Sequence, residues 1–107
     1  KSARYYYDAE AIREPQRNKR SVWEIPTQPY SEAHFATFPE ALVRPCILAG
    51  TSEAGVVLDP FAGSGTTLAV ATSLGRKSIG IELSDEYMEI ARKRITKQTP
   101  ALPMETV

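Results

Sequence analysis

The stretch "VLDPFAGSGTT", Val57–Thr67, decides the fold of this 107-residue chain. An apolar run ends in an acid and a proline, then two glycines, a serine and two threonines follow. The run itself, "GVVLD" (Gly55–Asp59), is short and β-branched, as in a strand buried on both faces. "TTLAVATSLG" places Leu68, Ala69, Ala71, Thr72 and Leu74 in a small-residue helix that Gly75 closes. "KSIGIEL" (Lys77–Leu83) is a second strand ending in Glu82. Two strands joined by a helix form a right-handed parallel βαβ unit. The class is therefore α/β, a short parallel sheet flanked by helices.

Upstream, "HFATFPEALVRPCILAG" (His34–Gly50) reads as a loop and then a helix, with Pro39 in its first turn and Gly50 at its end. Pro45 removes a backbone donor inside that helix and should bend it. Downstream, Ser84 or Asp85 caps a last helix in which Tyr87, Ile90, Ala91 and Ile95 fall on or near one face. The first thirty residues, with Pro15, Pro26 and Pro29, read as an extended arm, and the Tyr5–Tyr7 triplet in it as an edge strand or packing anchor. The arm's basic section, "REPQRNKRSVW" (Arg13–Trp23), is either a solvated surface loop or a DNA-facing segment with Arg17, Lys19 and Arg20 on phosphates. Residues 97–107 read as a flexible tail.

Composition narrows the class. Apolar residues make up 42% and charged residues 24%, as in a folded globular chain. No apolar stretch approaches the ~20 residues that a membrane span needs. The one cysteine, Cys46, excludes an internal disulfide and a cysteine-cluster metal site. It suits a reducing, cytoplasmic setting and reads as a buried packing residue. Net charge is zero, yet basic ends flank an acidic middle, an arrangement that permits contact with a phosphate backbone.

Ligands of open parallel sheets bind beyond the carboxyl ends of the strands. Gly63 and Gly65 sit at one such end, where they allow conformations closed to other residues and let a ligand approach the main chain. The following helix offers its free N–H groups and positive end, and Ser64, Thr66 and Thr67 add hydroxyls, so an anion belongs there. A nucleoside-triphosphate loop needs a lysine where Thr66 stands. A dinucleotide fingerprint needs a third glycine where Leu68 stands, although a variant nicotinamide site stays open. Glu82, 19 residues after Gly63, ends the neighbouring strand and can accept hydrogen bonds from ribose hydroxyls. Asp59 is placed to bind turn amides or a cationic ligand group, and Phe61 to pack along an apolar one.

These residues resemble a known family. "LDPFAGSGTT" (Leu58–Thr67) is similar to motif I of the S-adenosylmethionine-dependent DNA amino-methyltransferases, which act on adenine N6 or cytosine N4. "GIEL" (Gly80–Leu83) resembles motif II, and "HFATFP" (His34–Pro39) resembles motif X; motif X ahead of motif I is the permuted order of the β subgroup. The resemblance, over about 18–95, implies a partial Rossmann-like methyltransferase fold. It also implies a cofactor-binding set of Thr37, Asp59, Phe61, Gly63, Ser64, Gly65, Thr66, Glu82 and Leu83. The methionine carboxylate would meet Ser64, Gly65, Thr66 and Thr37, the ribose Glu82, and the adenine Leu83.

One element of that family is missing. Its Asp/Ser/Asn-Pro-Pro-Tyr/Phe tetrapeptide, which holds the amine of a flipped base, does not occur in this sequence. In the permuted order it lies upstream. The chain thus looks like the C-terminal part of a longer restriction-modification type enzyme: an arm over 1–30, a cofactor-binding part over 31–96 and a tail. Its expected partners are DNA, the remainder of the methyltransferase chain and, in some assemblies, a second copy, with no membrane. Alone it is expected to bind the cofactor weakly and methylate nothing. A nicotinamide-dependent oxidoreductase piece and a non-catalytic DNA-binding or assembly module are the competing readings.

Overall fold

The computed structural model describes residues 5–15, 17–27 and 38–98. Strands β1 (Val56–Asp59) and β2 (Lys77–Gly80) pair in parallel, in register from Val56↔Lys77 to Asp59↔Gly80. Helix α1 (Glu40–Gly50) precedes them, α2 (Thr66–Ser73) joins them and α3 (Asp85–Gln98) follows. α3 thus passes the expected Thr96 boundary by two residues.

The local chemistry explains each boundary. Pro39 is the N-cap of α1, with extended backbone, and its carbonyl accepts from the Leu42 N–H at 3.1 Å. Pro45 stands within α1 without ending it; its missing N–H leaves the Ala41 carbonyl without its usual partner. α2 begins at Gly65, whose φ is +85°. It ends in a Schellman arrangement: Gly75, φ +78°, donates to the Thr72 carbonyl and Arg76 to the Ala71 carbonyl. Ser84 starts α3, its hydroxyl accepting from the Tyr87 N–H at 3.2 Å.

α2 is the centre of the molecule. Leu68, Ala69, Val70 and Ala71 are buried on successive sides of it, as in a helix surrounded by other elements. α1 lays Val43 and Ile47 against Val70 and Ala71, and Val57 and Leu74 border that cluster. α3 packs on α2 from another side.

Three expectations are corrected here. The strands are covered on one face only: Val56, Leu58, Ile79 and Ile81, which share the other face, are each more than half exposed. Burial of both faces needs a second layer of elements, and among the described residues α1 and α2 lie on the Val57 side. Tyr5, Tyr6 and Tyr7 are exposed and in no strand. The chain after them is tied down instead through its backbone, the Asp8 N–H donating to the Ala49 carbonyl at 2.7 Å. Cys46 is exposed rather than buried: it lines an open hollow at the margin of the face on which Val43 and Ile47 are covered.

Candidate functional site

The pairing of the two strands does not stop at their ends. The Ile81 N–H donates to the Asp59 carbonyl at 3.0 Å, and the Ala62 N–H donates to the Ile81 carbonyl at 2.9 Å. These bonds carry the two chains forward together, so that the glycine turn after β1 and the acid after β2 meet. Glu82 Oε1 accepts from the Gly63 N–H at 2.7 Å, and Oε2 accepts from the Ser84 N–H at 2.9 Å. One carboxylate therefore bridges the turn and the loop leading into α3, through short charge-assisted bonds.

The two glycines of the turn answer to different neighbours. Gly63 has φ +56°, and a side chain there would meet nothing nearer than the Phe61 carbonyl oxygen at 4.0 Å. Gly65 has φ +85°, and a β-carbon there would lie 2.6 Å from Ala91 Cβ and 2.9 Å from Ala91 Cα. What sits against Gly65 is α3, not open space for a ligand. Gly63 faces the open side.

Ser64 and Thr66 turn the same way as Gly65. Both are buried, and their hydroxyls, expected to face an anion, accept from the Arg94 guanidinium at 3.1 and 2.8 Å. On the outer side, the Asp59 carboxylate accepts from the Phe61 N–H at 3.0 Å and closes the turn after β1. Phe61 and Leu83, the apolar residues next to the turn and to Glu82, are 86% and 98% exposed. Two bare apolar side chains, a carboxylate and an open glycine thus gather at the carboxyl end of the sheet. The first-turn N–H groups of α2, on Thr66, Thr67 and Leu68, lie beyond the reach of intrahelical acceptors. Thr37 and most of the motif X segment lie outside the described residues.

Arg94 is the residue that sequence reasoning missed. It is 7% exposed and tied to three elements of the fold. A signal was present: three residues after Ala91 it falls on the inner stripe of α3, where an apolar side chain is expected.

Of the arm residues read as phosphate contacts, Arg17 and Lys19 pair within their own loop. Arg17 Nε donates to Glu14 Oε1 at 2.8 Å, and Lys19 Nζ lies 3.7 Å from Glu14 Oε2 and 5.0 Å from the centre of the Trp23 ring. Arg17's hydrogen bond holds the Glu14 carboxyl below its ordinary value. Arg20 accepts at its carbonyl from the Trp23 indole.

Known proteins are similar to this chain in sequence and in fold. The family model for DNA methylases matches residues 1–93. The chain is 49% identical to the type II methyltransferase M.SmaI of Serratia marcescens over 105 residues, 92% of this chain and 36% of that protein. It is 52% identical to M.Cfr9I of Citrobacter freundii over 100 residues, 89% of this chain and 33% of that protein. Among solved structures, the M1.HpyAVI–SAM complex superposes with a TM-score of 0.70 at 34% identity, covering 86% of this chain and 44% of that one. The chain spans about a third of the length of these curated relatives. With motif I, motif II and the paired strand ends in place, the chain belongs to the DNA amino-methyltransferase family and carries part of its α/β fold.

Proposed function

We propose that this chain is the C-terminal, cofactor-binding part of a DNA methyltransferase that moves a methyl group from S-adenosylmethionine to the exocyclic amino group of adenine (N6) or cytosine (N4). The observation that carries the reading is the 2.7 Å bond from Gly63 to Glu82, which joins the glycine turn and the acid into one site. S-adenosylmethionine brings an electrophilic methyl group on a sulfonium, ready for transfer to an amine.

The residues present suit such a ligand. Each Glu82 oxygen receives one backbone bond and keeps acceptor capacity for a ribose hydroxyl. The main chain at Ser64 and Thr66, with the positive end of α2, suits the methionine carboxylate; Gly63 and Gly65, whose N–H groups go to Glu82 and to the Ala62 carbonyl, shape the turn, and Thr37 adds to the site from the motif X segment. Phe61 and Leu83 offer apolar cover to the adenine, and Asp59 a negative charge for the ammonium group. Arg17, Lys19 and Arg20 of the arm would reach DNA phosphates. The Pro-Pro tetrapeptide that grips the target amine would come from the remainder of the longer chain, leaving residues 31–96 as the cofactor half of the site.

Calorimetry on the full-length protein tests this. S-adenosylmethionine, or its demethylated product, should bind the full-length protein, and bind this chain alone more weakly. The full-length protein should also place labelled methyl groups on DNA. Tight binding of a nicotinamide cofactor, with none of S-adenosylmethionine, would overturn the assignment. Binding of DNA without methyl transfer would favour the non-catalytic module.

A further inference from the structure

Arg94 presents a physical puzzle. A guanidinium removed from water is costly unless every donor finds a partner, and an apolar residue in the same place is often no less stable. Here the partners are specific. Nη1 donates to the Ser64 hydroxyl at 3.1 Å, the Thr66 hydroxyl at 2.8 Å and, more weakly, the Ser64 carbonyl at 3.4 Å. Nη2 donates to Glu40 Oε2, at the start of α1, at 3.2 Å. One planar fork therefore ties α3, α1 and the glycine turn together, which a lysine's single nitrogen reproduces poorly. The contact between Ala91 and Gly65 lies one helical turn away on the same stripe of α3.

We propose that Arg94 is a positioning residue for the cofactor-binding turn. Its guanidinium turns the Ser64 and Thr66 hydroxyls inward, and this leaves main-chain groups on the side where Glu82 lies. Glu40 anchors the guanidinium from the opposite side and so makes α1 part of the same clamp. The carboxylate of the cofactor would then meet a turn already fixed in shape, with little ordering left to be done on binding. This inference rests on the assignment of that turn to S-adenosylmethionine.

The test uses the full-length protein with Arg94→Met, Arg94→Lys and Glu40→Gln. Arg94→Met keeps the packing volume and removes the fork. It should keep a cooperative melt, weaken S-adenosylmethionine binding about tenfold or more in calorimetry, and speed hydrogen exchange at 63–66 in the ligand-free protein. Arg94→Lys should recover only part of the affinity, and Glu40→Gln should lose less than Arg94→Met. A purely structural role predicts instead that affinity falls only in step with the folded fraction. Should Arg94→Met simply fail to fold, the Thr66→Val variant, which removes one acceptor, must still weaken binding and speed exchange. Unchanged affinity in a folded Arg94→Met or Thr66→Val protein overturns the clamp alone. Failure of the wild-type protein to bind S-adenosylmethionine overturns the assignment, and the clamp with it.

Discussion

The glycine turn has two sides, and they obey different rules. On the inner side, Gly65, Ser64 and Thr66 are buried against α3, where Ala91 leaves no room for a β-carbon and Arg94 takes up both hydroxyls. On the outer side, Gly63 is open, Glu82 holds its N–H, and Phe61 stands bare. A motif that reads as one ligand cradle is half cradle and half packing joint. The inner half sets the shape that the outer half presents.

Substitution separates the two sides. Gly65→Ala should have the largest effect, because left-handed backbone and a β-carbon only 2.6 Å from Ala91 Cβ act together. A loss of about 2–4 kcal/mol is expected in denaturant unfolding. A loss below about 1 kcal/mol would mean that α3 gives way easily and that the packing side is soft. Glu82→Ala should act on both sides of the division, since it frees the Gly63 and Ser84 N–H groups and removes the ribose acceptor. Cofactor affinity should fall by about 1–3 kcal/mol in calorimetry on the full-length protein, exceeding the change in stability. Gly63→Ala should cost only about 1 kcal/mol of stability, the price of a left-handed conformation without a clash. Its affinity loss should be the larger share, and equal behaviour of the two glycine variants would erase the distinction drawn between them.

The order of elements was legible because each had a local cause in the sequence. Gly75 ends α2 at a φ of +78°, Ser84 caps α3, and the β-branched run at Val56–Val57 makes a strand whether or not its neighbours are visible. The meeting of Gly63 with Glu82 was legible too, since parallel strands of similar length bring their carboxyl ends together. What lay beyond reading was set by tertiary contact. Periodicity cannot tell that Val56 and Leu58 would be left uncovered, because a strand buried on both faces and one with a bare apolar face have the same sequence pattern. Nor does local sequence say which way a hydroxyl turns, and the inward pull on Ser64 and Thr66 comes from residue 94, on another helix. Cys46 was misplaced for the same reason: helical spacing puts it beside Ile47, but only the docking of α1 chooses which side faces the core.

The same contrast between buried and exposed chemistry distinguishes two of the arginine–glutamate pairs, those of Arg94 and Arg17. Arg94 is shielded from water and bonded to Ser64, Thr66 and Glu40, whereas Arg17 meets Glu14 three residues away, with its own side chain 53% exposed. Exposed pairs of that kind are screened by salt and add little to stability. Glu14, its pKa lowered chiefly by the Arg17 hydrogen bond, should favour the folded state above the ordinary carboxylate value of 4.5 and lose that effect as pH falls through its lowered value. NMR titration of Arg17→Gln should therefore move the Glu14 midpoint up toward its ordinary value, high salt should do the same in the wild type, and the melting temperature should fall only slightly. Glu14→Gln asks the functional half of the question. It releases Arg17 and Lys19 from their local acid, so the full-length protein should bind DNA more tightly at low salt and with a steeper salt dependence. If DNA affinity and its salt slope stay fixed, the arm's basic residues are surface charge and not a contact with the phosphate backbone.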